Sequence, residues 1–173
     1  VIFVVFFFFL KQRRPPRSTQ RRSSAASDVY KRQAYVDGVA FHCYGGDVSA
    51  QAQFHERFPQ VGIWFTECSG GQWAQGFGSN LSWMTRNLVI DNYRYWGKST
   101  ILWNLALDEN AGPQNGGCNN CRGVVTINQN NGEITYNEEF YILGHVTKFV
   151  DPGAYRIDSG HSDYRLPPHV AFP

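Results

Sequence analysis

Val61–Glu67, VGIWFTE, is the stretch on which the fold turns. Six uncharged residues rich in bulky apolar side chains end in a carboxylate, and Ser69-Gly70-Gly71 follows almost at once. A short, near-continuous apolar run bounded by turn residues is the pattern of a strand covered on both faces, as in parallel sheets. A carboxylate at the tip of such a strand is expensive unless it is solvated, paired or used in chemistry.

Working outward, the same alternation of strand and helix repeats on both sides. Upstream, Tyr35–Tyr44 (YVDGVAFHCY) reads as a strand, and Val48–Phe58 (VSAQAQFHERF) as a short helix stopped by Pro59. Downstream, a Gly-rich loop spans Ser69–Gly78. Asn80–Trp96, with apolar Leu81, Met84, Leu88 and Tyr95, then predicts a helix closed by Gly97. Thr100–Leu107 (TILWNLAL) predicts a third strand. Three strand-helix units spaced by about 30 residues suit a doubly wound sheet or part of a (β/α)8 barrel.

Beyond the third strand, Asp108–Arg122 is a polar loop with Gly-Pro and Gly-Gly breaks, and Gly123–Tyr136 predicts a hairpin turning at NQNNGE. Asn137 is placed to cap a helix reaching Val150. Glu138 and Glu139 stand at its positive end, and Phe140, Leu143, Val146 and Val150 form its apolar stripe. Pro152-Gly153 ends that helix, and Ala154–Ile157 starts a further strand.

The first 33 residues differ in kind. They hold 8 of the 16 Lys and Arg and one acid, Asp28, whereas the rest carries 8 basic and 13 acidic residues, a net of −5. The apolar run Val1–Leu10 is too short to span a bilayer, which needs about 20 apolar residues. Its charges follow the apolar stretch, the reverse of a signal peptide. With four consecutive Phe and the adapter-like SSAASDVYKRQ at Ser23–Gln33, the segment reads as a non-native end. A basic nucleic-acid arm or a membrane-surface segment is the rival reading, and neither aromatic interleaving nor helical periodicity supports it.

Candidate site residues gather at strand ends, where the loops of parallel α/β folds form sites. Glu67 ends its strand. His42 and Tyr44, two apart, share a face from which Cys43 turns away, and both can donate to a neighbouring carboxylate. A buried His and a core Tyr with satisfied partners would give the same pattern. Trp103 can floor a sugar subsite or simply fill core. Cys118-Asn-Asn-Cys121 suits a local disulfide or half a zinc site, although no second CxxC or HxxxH completes the four ligands zinc prefers. Asn80-Leu-Ser82 is a glycosylation sequon.

In order, VDGVAFHCYGG, IWFTECSGG, ILWNLALDENAGP, VVTI and YILGHVTKFVDPGAYRI resemble the consecutive motifs of glycoside hydrolase family 30, over roughly residues 34–159. The resemblance implies a retaining β-glycosidase of glucosylceramidase or endo-β-1,6-glucanase type. The fold it implies is α/β: strands six to eight of a (β/α)8 TIM barrel over 34–152, then the start of a β-sandwich over 153–173. Glu67 falls on the family's nucleophile, His42 and Tyr44 on the strand-six pair beside it, and Trp103 on a substrate-lining aromatic. No cofactor or metal is implied. The expected partner is a carbohydrate or glycolipid, with no nucleic acid and no membrane span, in an extracellular or periplasmic setting. The family's acid/base Glu, which follows an Asn at strand four, has no counterpart here, and Asp108 and Glu109 do not match its motif. An inactive fragment is therefore expected, with a non-catalytic sugar-binding relic as the alternative.

Overall fold

A computed structural model describes residues 36–74, 76–160 and 167–173. The basic opening segment and Tyr35 lie outside the described residues. Strands β1 (Gly38–His42), β2 (Gly62–Glu67) and β4 (Gly97–Thr100) form a parallel sheet in the order β1-β2-β4. Helix α1 (Ala50–Arg57) connects the first two strands. A longer helical stretch connects β2 to β4: α2 (Phe77–Met84), a π-helical segment (Thr85–Asp91) and α3 (Asn92–Arg94). The α/β alternation expected from the sequence is thus present.

Period-2 alternation divides the sheet into two chemically different faces. Val39, Phe41, Ile63 and Phe65 point to one side and pack with Met84, Leu88 and Val89 of the helical stretch and with Ile142 of α4 (Glu138–Thr147), all buried. The other side presents Gly38, Ala40, His42, Trp64 and Thr66. The Trp64 indole packs against two glycines, and a Cβ at either Gly38 or Gly62 would strike it. Only glycine permits that approach.

The third strand differs from expectation. The ladder with β2 is made by the polar Gly97–Thr100, while Ile101–Leu105 runs on beside β2 through isolated bonds, Ile101 N–H to the Phe65 carbonyl (3.1 Å) and Trp103 N–H to the Cys68 carbonyl (2.9 Å). Within the ladder a step of two residues on β2 (Ile63 to Phe65) is matched by a step of three on β4 (Gly97 to Thr100), so the register slips and regular pairing ends at Thr100. Ile101, Trp103 and Leu105 are consequently exposed rather than covered on both faces. Asn92 explains why the polar segment pairs instead. It is fully buried, its side-chain amide donates to the carbonyls of Leu88 and Ser99 and to Thr100 Oγ1, and its Oδ1 accepts from Gln51. One amide thus ties α1, the π segment and β4 together.

A second sheet joins β5 (Ala106–Asp108) parallel to β7 (Val125–Ile127), and β7 antiparallel to β8 (Ile134–Tyr136), so the expected hairpin is present. Asn137 occupies the cap position of α4, yet its amide donates instead to the Gly123 carbonyl and Thr126 Oγ1. Helix α4 ends at Thr147 rather than Val150. Its buried anchor is Ile142, not the exposed Phe140. Ala154–Ile157 forms no strand; Ile157 makes a single bridge to Ala171. The sequon asparagine Asn80 is buried on α2, a position closed to a glycosyl transferase. No helix among the described residues is long and apolar enough to cross a membrane.

Candidate active site

A bulge decides where Glu67 points. Strand β1 pairs with β2 in regular register up to Phe41 opposite Phe65, and then His42 lies opposite Glu67 rather than Thr66. Without the extra residue, Glu67 would follow Ile63 and Phe65 toward the helices. The bulge re-aims it onto the face that carries His42, a common use of such irregularities beside sites.

Three of the four residues singled out in the sequence meet there. His42 Nδ1 stands 3.7 Å from Glu67 Oε1, an electrostatic contact longer than a hydrogen bond. The other ring nitrogen, Nε2, lies 3.1 Å from Thr66 Oγ1, which fixes the imidazole plane. Tyr44 stands edge-on to His42, with ring centroids 5.9 Å apart, and its hydroxyl donates to Glu67. Partial burial, then the hydrogen bond to Glu67 and the charge on that carboxylate, holds the Tyr44 phenol well above its usual titration range. Tyr44 is therefore a permanent donor at neutral pH. The Glu67 side chain retains 26% of its surface against 11% for His42, so the carboxylate is open to an incoming molecule while the imidazole is held behind it.

Trp103 is placed differently. Its backbone N–H bonds to the carbonyl of Cys68, the residue after Glu67, and its indole is half exposed. It stands beside the site, and no contact joins it to the His42–Tyr44–Glu67 cluster among the described residues.

Sequence reasoning missed the supports of this cluster. Thr66 gave no signal, because its role follows from the bulge. Cys43, between His42 and Tyr44, and Cys68, directly after Glu67, are disulfide-bonded with Cα atoms 5.3 Å apart. Their adjacency to the site residues in FHCY and TECS is the signal that could have found the bond. Cys118 and Cys121 form the second disulfide, so of the two readings of that pair the loop staple holds. Behind the Glu67 loop, β3 (Gly70–Gly71) pairs antiparallel with β6 (Cys121–Arg122). Arg122 grips Glu139 through Nε and Nη2 at 3.0–3.1 Å and reaches Glu138 at 3.2 Å. A Cβ at Gly70 would strike the Glu139 carboxylate, so only glycine lets the loop lie against this ion pair.

Other carboxylates are committed elsewhere. Asp108 accepts from the backbone N–H groups of Asn110 and Gly112, and Glu109 accepts from Gln129 N–H and the Asn130 amide. Both brace the loop and hairpin after β5.

Comparisons with known proteins give the chain its relatives. The chain is 34% identical over 127 residues to the endo-1,6-β-D-glucanase neg1 of Aspergillus fumigatus, a match covering 69% of this chain and 24% of that protein. It is 31% identical over 136 residues to the endo-1,6-β-D-glucanase BGN16.3 of Trichoderma harzianum, covering 75% and 25%. The solved structure of the endo-β1,6-glucanase BT3312 superposes with a TM-score of 0.72 at 34% identity, over 79% of this chain and 32% of that one. The chain thus spans about a quarter of the length of the curated relatives it matches. Residues 24–150 match the profile of the glycosyl hydrolase family 30 TIM-barrel domain, and with these likenesses they show that the chain belongs to glycosyl hydrolase family 30.

Proposed function

We propose that this chain carries the nucleophile side of a retaining β-glycosidase acting on β-glucosidic bonds, with β-1,6-glucan as the favoured substrate and glucosylceramide as the second. The observation that carries the proposal is Glu67 itself: a solvent-open carboxylate at a strand end, turned by a bulge onto a His and a permanently protonated Tyr. In that role Glu67 attacks the anomeric carbon, and the electron pair of the glycosidic bond leaves with the aglycone oxygen. A glycosyl ester results, which water then cleaves. Tyr44 and His42 hold the carboxylate in line for attack, and Trp103 offers a face beside the sugar.

The parallel β1-β2-β4 sheet fits strands six to eight of a (β/α)8 barrel spanning 34–152, with residues 153–173 leading into a further β-domain. Retaining chemistry needs a second carboxyl about 5–5.5 Å from the nucleophile. Asp108 and Glu109 are engaged elsewhere, Glu138 and Glu139 are held by Arg122, and Asp37, although it lines the same hollow, precedes β1 at the end of the parallel sheet opposite Glu67, so we assign the proton donor to a part of the enzyme outside these 173 residues. The chain alone then turns over no natural substrate. Two disulfides fit an oxidising, extracellular or periplasmic setting.

A leaving group that needs no proton isolates the nucleophile. Incubation with 2,4-dinitrophenyl 2-deoxy-2-fluoro-β-glucoside should release one dinitrophenolate per chain and leave a fluoroglucosyl adduct on the peptide containing Glu67. Glu67→Gln should show neither. An adduct on another residue, or none, sinks the assignment.

A further inference from the structure

Strand pairing brings Glu67 beside His42 and goes no further. The β1–β2 ladder ends at that pair, and β1 itself ends at His42. Tyr44 stands beyond the strand, in a bend that runs straight into Gly45-Gly46, where Gly46 takes φ 80°. Glycine has more backbone freedom than any other residue, so this segment has no register of its own. Yet the Tyr44 hydroxyl is delivered to the Glu67 carboxylate. On the other side of Glu67, regular pairing with β4 has ended at Thr100, and Trp103 is nonetheless tied in by its N–H to the Cys68 carbonyl at 2.9 Å. The covalent link at this point is the Cys43–Cys68 disulfide, with Cα atoms 5.3 Å apart. Cys68 is 1% exposed within the helix-side core, and Cys43 packs against that core. The bond is thus anchored in packed structure, while the residues flanking the two cysteines, His42, Tyr44 and Glu67, meet one another.

We propose that the Cys43–Cys68 disulfide is a positioning element of the site: it seats the Tyr44 hydroxyl on the Glu67 carboxylate and, through the Cys68 carbonyl, sets Trp103 beside them. Its use in catalysis rests on the glycosidase reading of Glu67; the seating of Tyr44 does not. A cross-link one residue from each partner confines the separation of Tyr44 and Glu67 where the backbone of the bend leaves it free. Without the bond the bend swings on Gly45-Gly46, and Glu67 loses a donor. The carboxylate then loses the orientation that in-line attack requires. Cys118–Cys121 staples a separate polar loop across a separation of three residues and serves as the internal control.

The test reads Tyr44 in the full 173-residue chain by nitration with tetranitromethane, which attacks phenolate, followed by peptide mapping. Tyr155, 71% exposed, is the reference within the same chain. In the parent, Tyr44 should be nitrated far more slowly than Tyr155 although it is 51% exposed, because its phenol is held protonated. Cys43→Ala removes the bond and leaves Cys68 as a thiol filling its place in the core. In that variant the Tyr44-to-Tyr155 ratio should rise about ten-fold or more, since each unit of phenol pKa changes the phenolate fraction ten-fold. Labelling of Glu67 by the fluoroglucoside should slow about ten-fold or more. The double variant Cys118→Ala with Cys121→Ala should match the parent in both readings. Reducing that double variant with dithiothreitol, then desalting, opens only Cys43–Cys68, so the ratio is also read with both of these cysteines in place. Near-UV circular dichroism reports folding throughout. A folded Cys43→Ala chain with the parent's nitration ratio, or with the parent's labelling rate, overturns the proposal. Unfolding of both Cys43→Ala and the reduced double variant also overturns it, because the bond would then be a staple of the fold. Nitration involves no sugar, so absence of any adduct on Glu67 in the parent defeats the glycosidase reading alone and leaves the ratio to decide the seating of Tyr44.

Discussion

Tyr44 and Glu67 are coupled, and the coupling has a measurable sign. The neutral phenol is favoured in the folded chain by partial burial and by the adjacent carboxylate. A group whose folded pKa is raised contributes stability that is fully present below its unfolded pKa, about 10 for tyrosine, and lost as pH climbs toward the folded value. Spectrophotometric titration of phenolate should therefore show one tyrosine ionising late, and Tyr44→Phe should remove that step. Glu67→Gln should move it part of the way back, because the charge goes and the burial remains. If the late step persists in Tyr44→Phe, the contact does not exist in solution. Strand alternation suggested that His42 and Tyr44 come together, but β1 ends at His42, and it is the bend after the strand that sets the Tyr44 ring edge-on to the imidazole. That Glu67 joins them was not legible, because alternation alone turns it toward the helices and only the bulge reverses this.

Among the elements, two cross-links hold the site loops. The Cys43–Cys68 bond closes a loop 25 residues long between the ends of β1 and β2, and loop-closure entropy assigns it about 3.5 kcal/mol. Cys118–Cys121 spans three residues and is worth less, about 2 kcal/mol on the same scale. Removing the first as the pair Cys43→Ala with Cys68→Ala should lower the denaturant midpoint more than removing the second pair; the reverse order would contradict this loop-length account. The Arg122 grip should matter as much. Arg122→Ala leaves Glu139, 1% exposed, and Glu138 buried without a counter-ion. Breaking a buried pair this way costs about 3–5 kcal/mol, and Arg122→Lys should recover part of it, because the ammonium keeps the charge but loses the fork. An Arg122→Ala variant with an unchanged midpoint would show that the two acids are solvated. At this scale the apolar runs marked elements correctly where side chains pack, as in Gly62–Glu67. They misled at Thr100–Leu107, where the ladder follows the Asn92 network through polar Ser99 and Thr100 instead.

The molecule as a whole shows an asymmetry that the sequence only half declared. Apolar strands separated by helices announced a parallel sheet, and one face of β1-β2-β4 is packed as expected. The opposite face, which carries Glu67 and His42 at one end, is a mostly apolar hollow of about 730 Å³ bordered also by Trp64, Ala40 and the half-exposed Ile101. No segment among the described residues covers it, and β1 and β4 each have one side without a strand partner there. An apolar face joined to unpaired strand edges favours pairing with another copy. Sedimentation velocity over a rising concentration series should therefore show self-association of the chain. Ile101→Lys, which adds a charge at the exposed rim of the hollow without touching the helix-packed core, should weaken that association and leave the unfolding midpoint nearly unchanged, since exposed substitutions usually stay within about 0.5 kcal/mol. A chain that sediments as a monomer throughout would mean that residues outside the described set cover this face. Association that survives Ile101→Lys unaltered would move the contact to the strand edges of β1 and β4.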